Sequence, residues 1–166
     1  MAEQQGKPEK PKPGVRVEAT PVFFGLTNHL ALVVTDESAR QTGIRGGPSQ
    51  RGVISPSMTD APEGNFGPIR VDEAPYQRGF VDYAPDAPKV EVDTKGKSVG
   101  EVSACFRRVG RVIAAKNIEY LPASTNSNSV VGTMLRLCDC EAVKPTVTAP
   151  GFEKNLVTKD ELDKFQ

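Results

Sequence analysis

The chain has 166 residues, a length suited to one domain with some tail. Lys plus Arg number 21 and Asp plus Glu number 21, so the formal net charge is zero, and nothing global draws the chain to nucleic acid or anionic membranes. A single histidine, His29, excludes chemistry that needs two imidazoles, including the HExxH zinc proteases and three-His metal sites.

Residues 1–13 are polar, rich in Lys and Pro and without apolar periodicity, the composition of a disordered tail. They lack the apolar core of a signal peptide. The longest apolar run, Leu30–Val34, is far short of the ~18 residues of a membrane span. These features predict a soluble protein without a transmembrane segment, cytoplasmic or exported without a signal peptide.

Val15-Arg16-Val17-Glu18 alternates as a short first strand. Leu26–Asp36 is β-rich and nearly continuous in apolar character, as in a central strand covered on both faces, with His29 near its start. Asp36-Glu37-Ser38 reads as a turn. Gln41–Arg45 reads as the returning strand, stopped by Gly46-Gly47-Pro48. Residues 46–88 are rich in Pro and Gly and carry no helical pattern, so they read as a functional loop region with short strands near Pro68–Asp72 and Gly79–Tyr83. Lys89–Thr94 alternates as a further strand.

Ser98-Val99-Gly100-Glu101 has the Ser-x-x-Glu spacing of a capping box. The apolar residues that follow, Val102, Cys105, Phe106, Val109, Val112 and Ile113, keep helical spacing to about Lys116, with Asn117 near the C-terminus. Arg107, Arg108 and Arg111 lie off that stripe and read as a solvated face. A second helical pattern, Val130, Val131, Met134, Leu135, Leu137 and Cys138, follows Asn126-Ser127-Asn128-Ser129. Ser127 therefore falls at the helix N-terminus or one residue before it. Pro150-Gly151-Phe152 reads as a docking point for the C-terminal segment, and the charged stretch from Thr158 as a frayed tail.

Three cysteines are an odd count, which argues against a disulfide framework. Cys138 reads as helix core and Cys140 as a surface thiol. A Cys₃His zinc site from Cys105, Cys138, Cys140 and His29 has the wrong spacing, so no metal and no cofactor are expected. Gly43-Ile44-Arg45-Gly46-Gly47-Pro48 does not open a helix and is no dinucleotide fingerprint. Among the loop acids Asp72, Glu73, Asp82 and Asp86, nothing fixes a glycosidase-like separation.

His29 and Ser127 are the residues with chemical promise. A serine hydroxyl is a weak nucleophile until a base takes its proton, and histidine is the usual base near neutral pH. A helix N-terminus offers free N–H groups for an oxyanion. Ser and Asn are favoured N-caps, so two of each in a row are explained by capping alone. Gln41 and Arg45 are the two candidates to orient the His29 ring.

The run Tyr120…Asn126-Ser127-Asn128-Ser129-Val130, with a histidine on an earlier strand, resembles the nucleophile region of permuted papain-like hydrolases. These include the PPPDE isopeptidases, the lecithin retinol acyltransferase-like proteins and NlpC-type enzymes. Ser127 stands where those families carry Cys, Ser129 where a second His is found, and Val130 where an aromatic is found. The segment from His29 to Arg45-Gly46-Gly47-Pro48 also resembles effector-associated bacterial members of that superfamily. The resemblance implies an α+β fold with a small antiparallel sheet packed against two or more helices, spanning residues 14–157. It implies hydrolysis or acyl transfer on an amide or ester, with His29 as base and Ser127 as nucleophile. Asn126, Asn128 and Tyr120 would be supporting residues, and the substrate a peptide, peptidoglycan or lipid. The other reading is a non-catalytic module of the same fold, an effector or adaptor that binds a protein partner through its Pro/Gly-rich loops.

Overall fold

The structure, a computed structural model, describes residues 10–22, 25–49 and 66–165. Five strands form one antiparallel sheet: β1 (Gly14–Val22), β2 (Thr27–Thr35), β3 (Gln41–Pro48), β4 (Ile69–Pro75) and β5 (Lys89–Glu91). Their spatial order is β4-β3-β2-β1-β5. Three helices follow in sequence, α1 (Val99–Ala115), α2 (Ser127–Leu137) and α3 (Lys159–Lys164). The architecture is α+β. Among the described residues no helix is long and apolar enough to cross a membrane.

β2 is the centre of the sheet because it can bury both faces. Side chains alternate across a strand. Leu30, Leu32 and Val34 meet Val15, Val17, Ile44 and the apolar stripes of α1 and α2. Ala31 and Val33 meet Tyr76 and Phe80 on the other face. The Asp36 turn closes the β2–β3 hairpin. Its carboxylate accepts from the backbone N–H groups of Ser38 and Arg40, and Ala39 takes a positive φ of 64°.

Several expectations are corrected. β3 does not stop at Gly46 but runs to Pro48, because β4 pairs with it through Arg45↔Asp72, Gly46↔Val71 and Gly47↔Arg70. Residues 79–83 form turns rather than a strand, with Phe80 N–H donating to Gln77 O and Tyr83 N–H to Phe80 O. That turn lays Phe80 across Gly43, where a Cβ would come within 2.5 Å of the ring. The stretch from Thr158 is ordered as α3, with a capping box between Thr158 and Glu161. Leu162 is buried, and its carbonyl accepts from Arg108. Part of the 1–13 tail and residues 50–65 of the loop region lie outside the described residues.

The cysteines also depart from expectation. Cys105 of α1 and Cys138 at the end of α2 form a disulfide, with Cα atoms 5.8 Å apart. One bridge needs only two thiols, so an odd count does not exclude it. Cys140 is buried rather than a surface thiol. The cause is the way α2 ends. Asp139 turns left-handed at φ 51°, Asp139 N–H donates to Arg136 O, and Cys140 N–H donates to Leu135 O. This Schellman closure folds the residue after the turn back onto the helix.

Cys105 and Cys138 lie 33 residues apart. Cys105→Ser, or reduction of the wild type, is expected to lower stability by ~2–4 kcal/mol, read as a reduced urea midpoint. Cys140→Ser should leave the bridge intact, as thiol titration with and without reductant would show.

Candidate functional site

The site lies where β2 and β3 part. Their pairing runs from Thr35↔Gln41 to Leu32↔Ile44. Before Leu32, the β3 side of β2 is taken over by the N-terminus of α2. Asn128 inserts its side-chain amide in place of a strand. Its Oδ1 accepts from Leu30 N–H at 2.8 Å, and its Nδ2 donates to Asn28 O at 3.0 Å and to Pro150 O at 3.0 Å. Ser127 sits beside it. Its hydroxyl donates to Leu30 O at 2.7 Å and accepts from Gly46 N–H at 3.3 Å. Glycine at 46 permits this approach, since a Cβ there would lie 2.6 Å from Val130 Cγ2 and 3.0 Å from Ser127 Cα.

Asn126 is the N-cap of α2. Its Oδ1 accepts from Asn128 N–H and Ser129 N–H, while Ser129 Oγ accepts from Asn126 N–H. Asn126 Nδ2 donates to Pro122 O and Pro150 O. The N–H groups of Asn128 and Ser129, candidates for an oxyanion hole, are therefore occupied by the cap. Ser127 has 0% exposure, and its single hydroxyl proton is directed at Leu30 O.

His29 points the other way. It shares the β2 face of Ala31 and Val33, opposite the helices. Its Nδ1 lies 3.0 Å from Asp82 Oδ1, and Asp82 Oδ2 accepts from Arg45 Nε at 2.6 Å. Arg45 Nη1 lies 3.8 Å from Asp72 Oδ2. The alternating faces of β2 and β3 place His29 and Arg45 on one side, and the turns after β4 carry Asp82 over them. Burial works to raise the Asp82 carboxyl. The His29 hydrogen bond and the charges of His29 and Arg45 outweigh it, and the net shift is downward. An ionised carboxylate only accepts, so the proton of the neutral ring resides on Nδ1 and Nε2 carries the lone pair.

His29 is also among the residues lining a small cleft with Asn28, Phe66, Tyr120, Asn126, Asn128 and Pro150. Burial pushes the Tyr120 phenol up, with the charge of Arg45 opposing and that of Asp82 adding.

Of the residues singled out from sequence, the fold thus gathers His29, Tyr120, Asn126 and Asn128 around one opening, while Arg45 is held by Asp82. Ser127 does not line it, and no hydrogen bond between His29 and Ser127 is found among the described residues. Gln41 is also apart, donating from Nε2 to Thr35 Oγ1 at 3.2 Å. Of the two candidates to orient His29, Arg45 acts through Asp82. In the sequence Asp82 is only one of four loop acids. Its one sequence signal is its place among aromatics, between Phe80 and Tyr83, where an acid stays buried only with a partner. Among the described residues no group of three His, Cys, Asp or Glu is arranged for a metal. No protein-family model, curated protein or solved structure matches the chain.

Two outcomes follow from this geometry. Ser127→Ala leaves the Leu30 carbonyl and the Gly46 N–H buried without their partner, and should cost ~1–3 kcal/mol in urea unfolding. Asp82 has a lowered value in the folded state. Its contribution to stability is therefore present above the unfolded-chain value and is lost as pH falls through the lowered folded value. Asp82→Asn should remove that part of the acid limb below about pH 4, seen by comparing urea midpoints across pH.

Proposed function

We propose that the protein hydrolyses an amide or ester bond on an α+β scaffold of the permuted papain-like type, with His29 as general acid–base. The observation that carries this reading is the His29 Nδ1–Asp82 Oδ1 contact of 3.0 Å, backed by Arg45 on the second oxygen of the same carboxylate. A carboxylate on Nδ1 selects the tautomer, orients the ring and stabilises the imidazolium that forms during proton transfer. Nε2 then takes a proton from water as the water oxygen attacks the carbonyl carbon. The same proton passes to the departing amine or alkoxide, and the products are a carboxylic acid and an amine or alcohol.

Water is the nucleophile in this reading because the Ser127 hydroxyl donates to Leu30 O and has no exposure. Ser127 anchors α2 to the parting strands. The substrate classes in view are those of the resembled hydrolases: a peptide, a peptidoglycan stem or a lipid ester.

A second reading draws on that same burial. If the position of the family nucleophile is purely structural, the chain is a binding module of this fold that holds a ligand at His29 without turnover. Two measurements separate the readings. Against a panel of p-nitrophenyl esters and anilides, the hydrolase reading expects His29→Gln to lose ~10²–10⁴-fold in kcat/KM. A serine-directed fluorophosphonate should leave Ser127 unlabelled. Turnover that is unchanged in His29→Gln, or absent in the wild type, overturns the hydrolase reading. His29-dependent labelling of Ser127 overturns the water route and returns the nucleophile to that serine.

A further inference from the structure

β4 ends the sheet on the side away from β5, and part of its outer edge is open. Ser49 N–H donates to Pro68 O and Tyr76 N–H donates to Gln41 O, both across the β3–β4 pair. Antiparallel partners exchange backbone bonds at every second position, so Arg70, Asp72 and Ala74 turn their N–H and C=O groups toward β3. Ile69, Val71, Glu73 and Pro75 turn theirs outward. At one end the outward N–H of Ile69 donates to Ile118 O at 2.7 Å. At the other, Pro75 has no N–H to offer. Between these ends, the outward backbone groups of Val71 and Glu73 meet no hydrogen-bond partner among the described residues.

The side chains of Val71 and Glu73 face α1. A Cβ at Gly110 would lie 3.2 Å from Val71 Cγ1, and Arg107 holds the Glu73 carboxylate with Nη2–Oε1 at 2.7 Å. These four residues, with Arg111 and Ala114, line one groove between β4 and α1. Arg111 is exposed, and no carboxylate meets it among the described residues. We propose that this edge takes a short extended peptide as an added strand, antiparallel to β4, with an acidic side chain on Arg111. The peptide residues opposite Val71 and Glu73 exchange backbone bonds with them, and their side chains stand on the α1 face. The acid belongs opposite Val71, which meets α1 at Gly110, beside Arg111. Opposite Glu73 it would face a like charge. In the chain order of the peptide the recognised sequence is therefore neutral, any residue, acidic. Charge also selects against a second copy at this edge. Antiparallel pairing about a two-fold axis would gather two Arg107 and two Arg111 around two Glu73 on one face, with two positive charges unmatched.

The test uses the full chain and is independent of the reading of His29. The probe is the blocked peptide acetyl-Thr-Val-Thr-Glu-Thr-amide, titrated into isotope-labelled protein and followed by amide resonances. Binding should shift the Val71 and Glu73 amides and slow their exchange with solvent. A peptide with Lys in place of Glu should bind at least about 5-fold more weakly, the upper range of an exposed ion pair. Arg111→Glu, at an exposed position, should reverse that preference without unfolding the chain. Equal binding of the two peptides to the wild type, or an unchanged preference in Arg111→Glu, overturns the acidic partner.

Strand addition is separated from simple charge attraction by methylating the peptide and leaving the protein unchanged. N-methyl groups on the Val and Glu nitrogens remove the N–H groups that face β4 and should abolish binding. The same groups on the two Thr nitrogens that flank Glu remove only N–H groups that face away, and binding should persist. Equal binding of the two methylated peptides overturns strand addition, as does the absence of any shift at millimolar peptide. A dimer in sedimentation that the peptide does not dissociate assigns the edge to a second copy and also overturns the proposal.

Discussion

The rest of the structure depends on how β2 is satisfied where β3 leaves it. A central strand that loses its neighbour exposes backbone N–H and C=O groups inside the domain, and buried groups of that kind need partners. Here the partners are side chains. The Asn128 amide meets Asn28 O and Leu30 N–H as a peptide group of a neighbouring strand would. The Ser127 hydroxyl joins Leu30 O to Gly46 N–H and so spans the gap between the two strands. The first two residues of α2 thus end the β2–β3 ladder. Asn126 caps the helix and ties it to the Pro122 and Pro150 carbonyls. One short polar stretch fixes the helix, the split in the sheet and the back wall of the cleft together.

The opposite face of the sheet manages buried charge. Asp82 lies between His29 and Arg45, and Asp72 faces Arg45 from β4. Next to them Glu18 is buried, accepting from Tyr76 Oη and from Arg16 Nε at 2.7 Å. Burial and the Glu18 carboxylate push the Tyr76 phenol up to about 12, which keeps it protonated as a donor over the whole physiological range. Arg16 also lies over the Tyr76 ring, 5.3 Å from its centroid. A lone buried charge is costly, whereas one with an opposite charge and matched hydrogen bonds is tolerated. The turns after β4 can therefore cover the sheet with both aromatic rings and an acid. Phe80 and Tyr76 pack on Ala31 and Val33, and the same turn delivers Asp82 to His29.

The regular elements were legible where local chemistry decides them. The capping box at Ser98 and Glu101 marks the start of α1 correctly, and the apolar spacing after Ser127 marks α2. The apolar run of β2 announces a strand covered on both faces. The length of β3 was not legible, because Gly46 and Gly47 read as a stop. Gly46 is instead the place where a helix terminus meets the strand, a requirement that only the packed helix reveals. The Cys105–Cys138 bridge depends on how α1 faces the end of α2, which spacing along either helix does not encode. The site was half legible. His29 stood out by its rarity, and the Asn-Ser-Asn-Ser run by its density. Asp82 sits 53 residues from His29 in a segment without periodicity, so sequence held no register to bring them together.

The two readings of the Asn-Ser-Asn-Ser run, catalysis and capping, call for opposite surroundings. A nucleophilic hydroxyl needs an open path for substrate and a base at its proton. A structural hydroxyl needs its donor and acceptor both filled and water excluded. Ser127 meets the second description: Leu30 O and Gly46 N–H take both roles, with 0% exposure. His29 has one ring nitrogen held by a buried carboxylate and is a lining residue of a cleft, the surroundings that the proposed acid–base role calls for. Since alternate residues of β2 face opposite sides of the sheet, the adjacent positions His29 and Leu30 divide the labour. Leu30 takes the helix through its backbone and the core through its side chain, which ties the strand to α2. The imidazole of the preceding residue, on the other face, is held from the side by Asp82. A histidine used for proton transfer gains from such restraint, because reorientation of the ring would otherwise compete with the reaction.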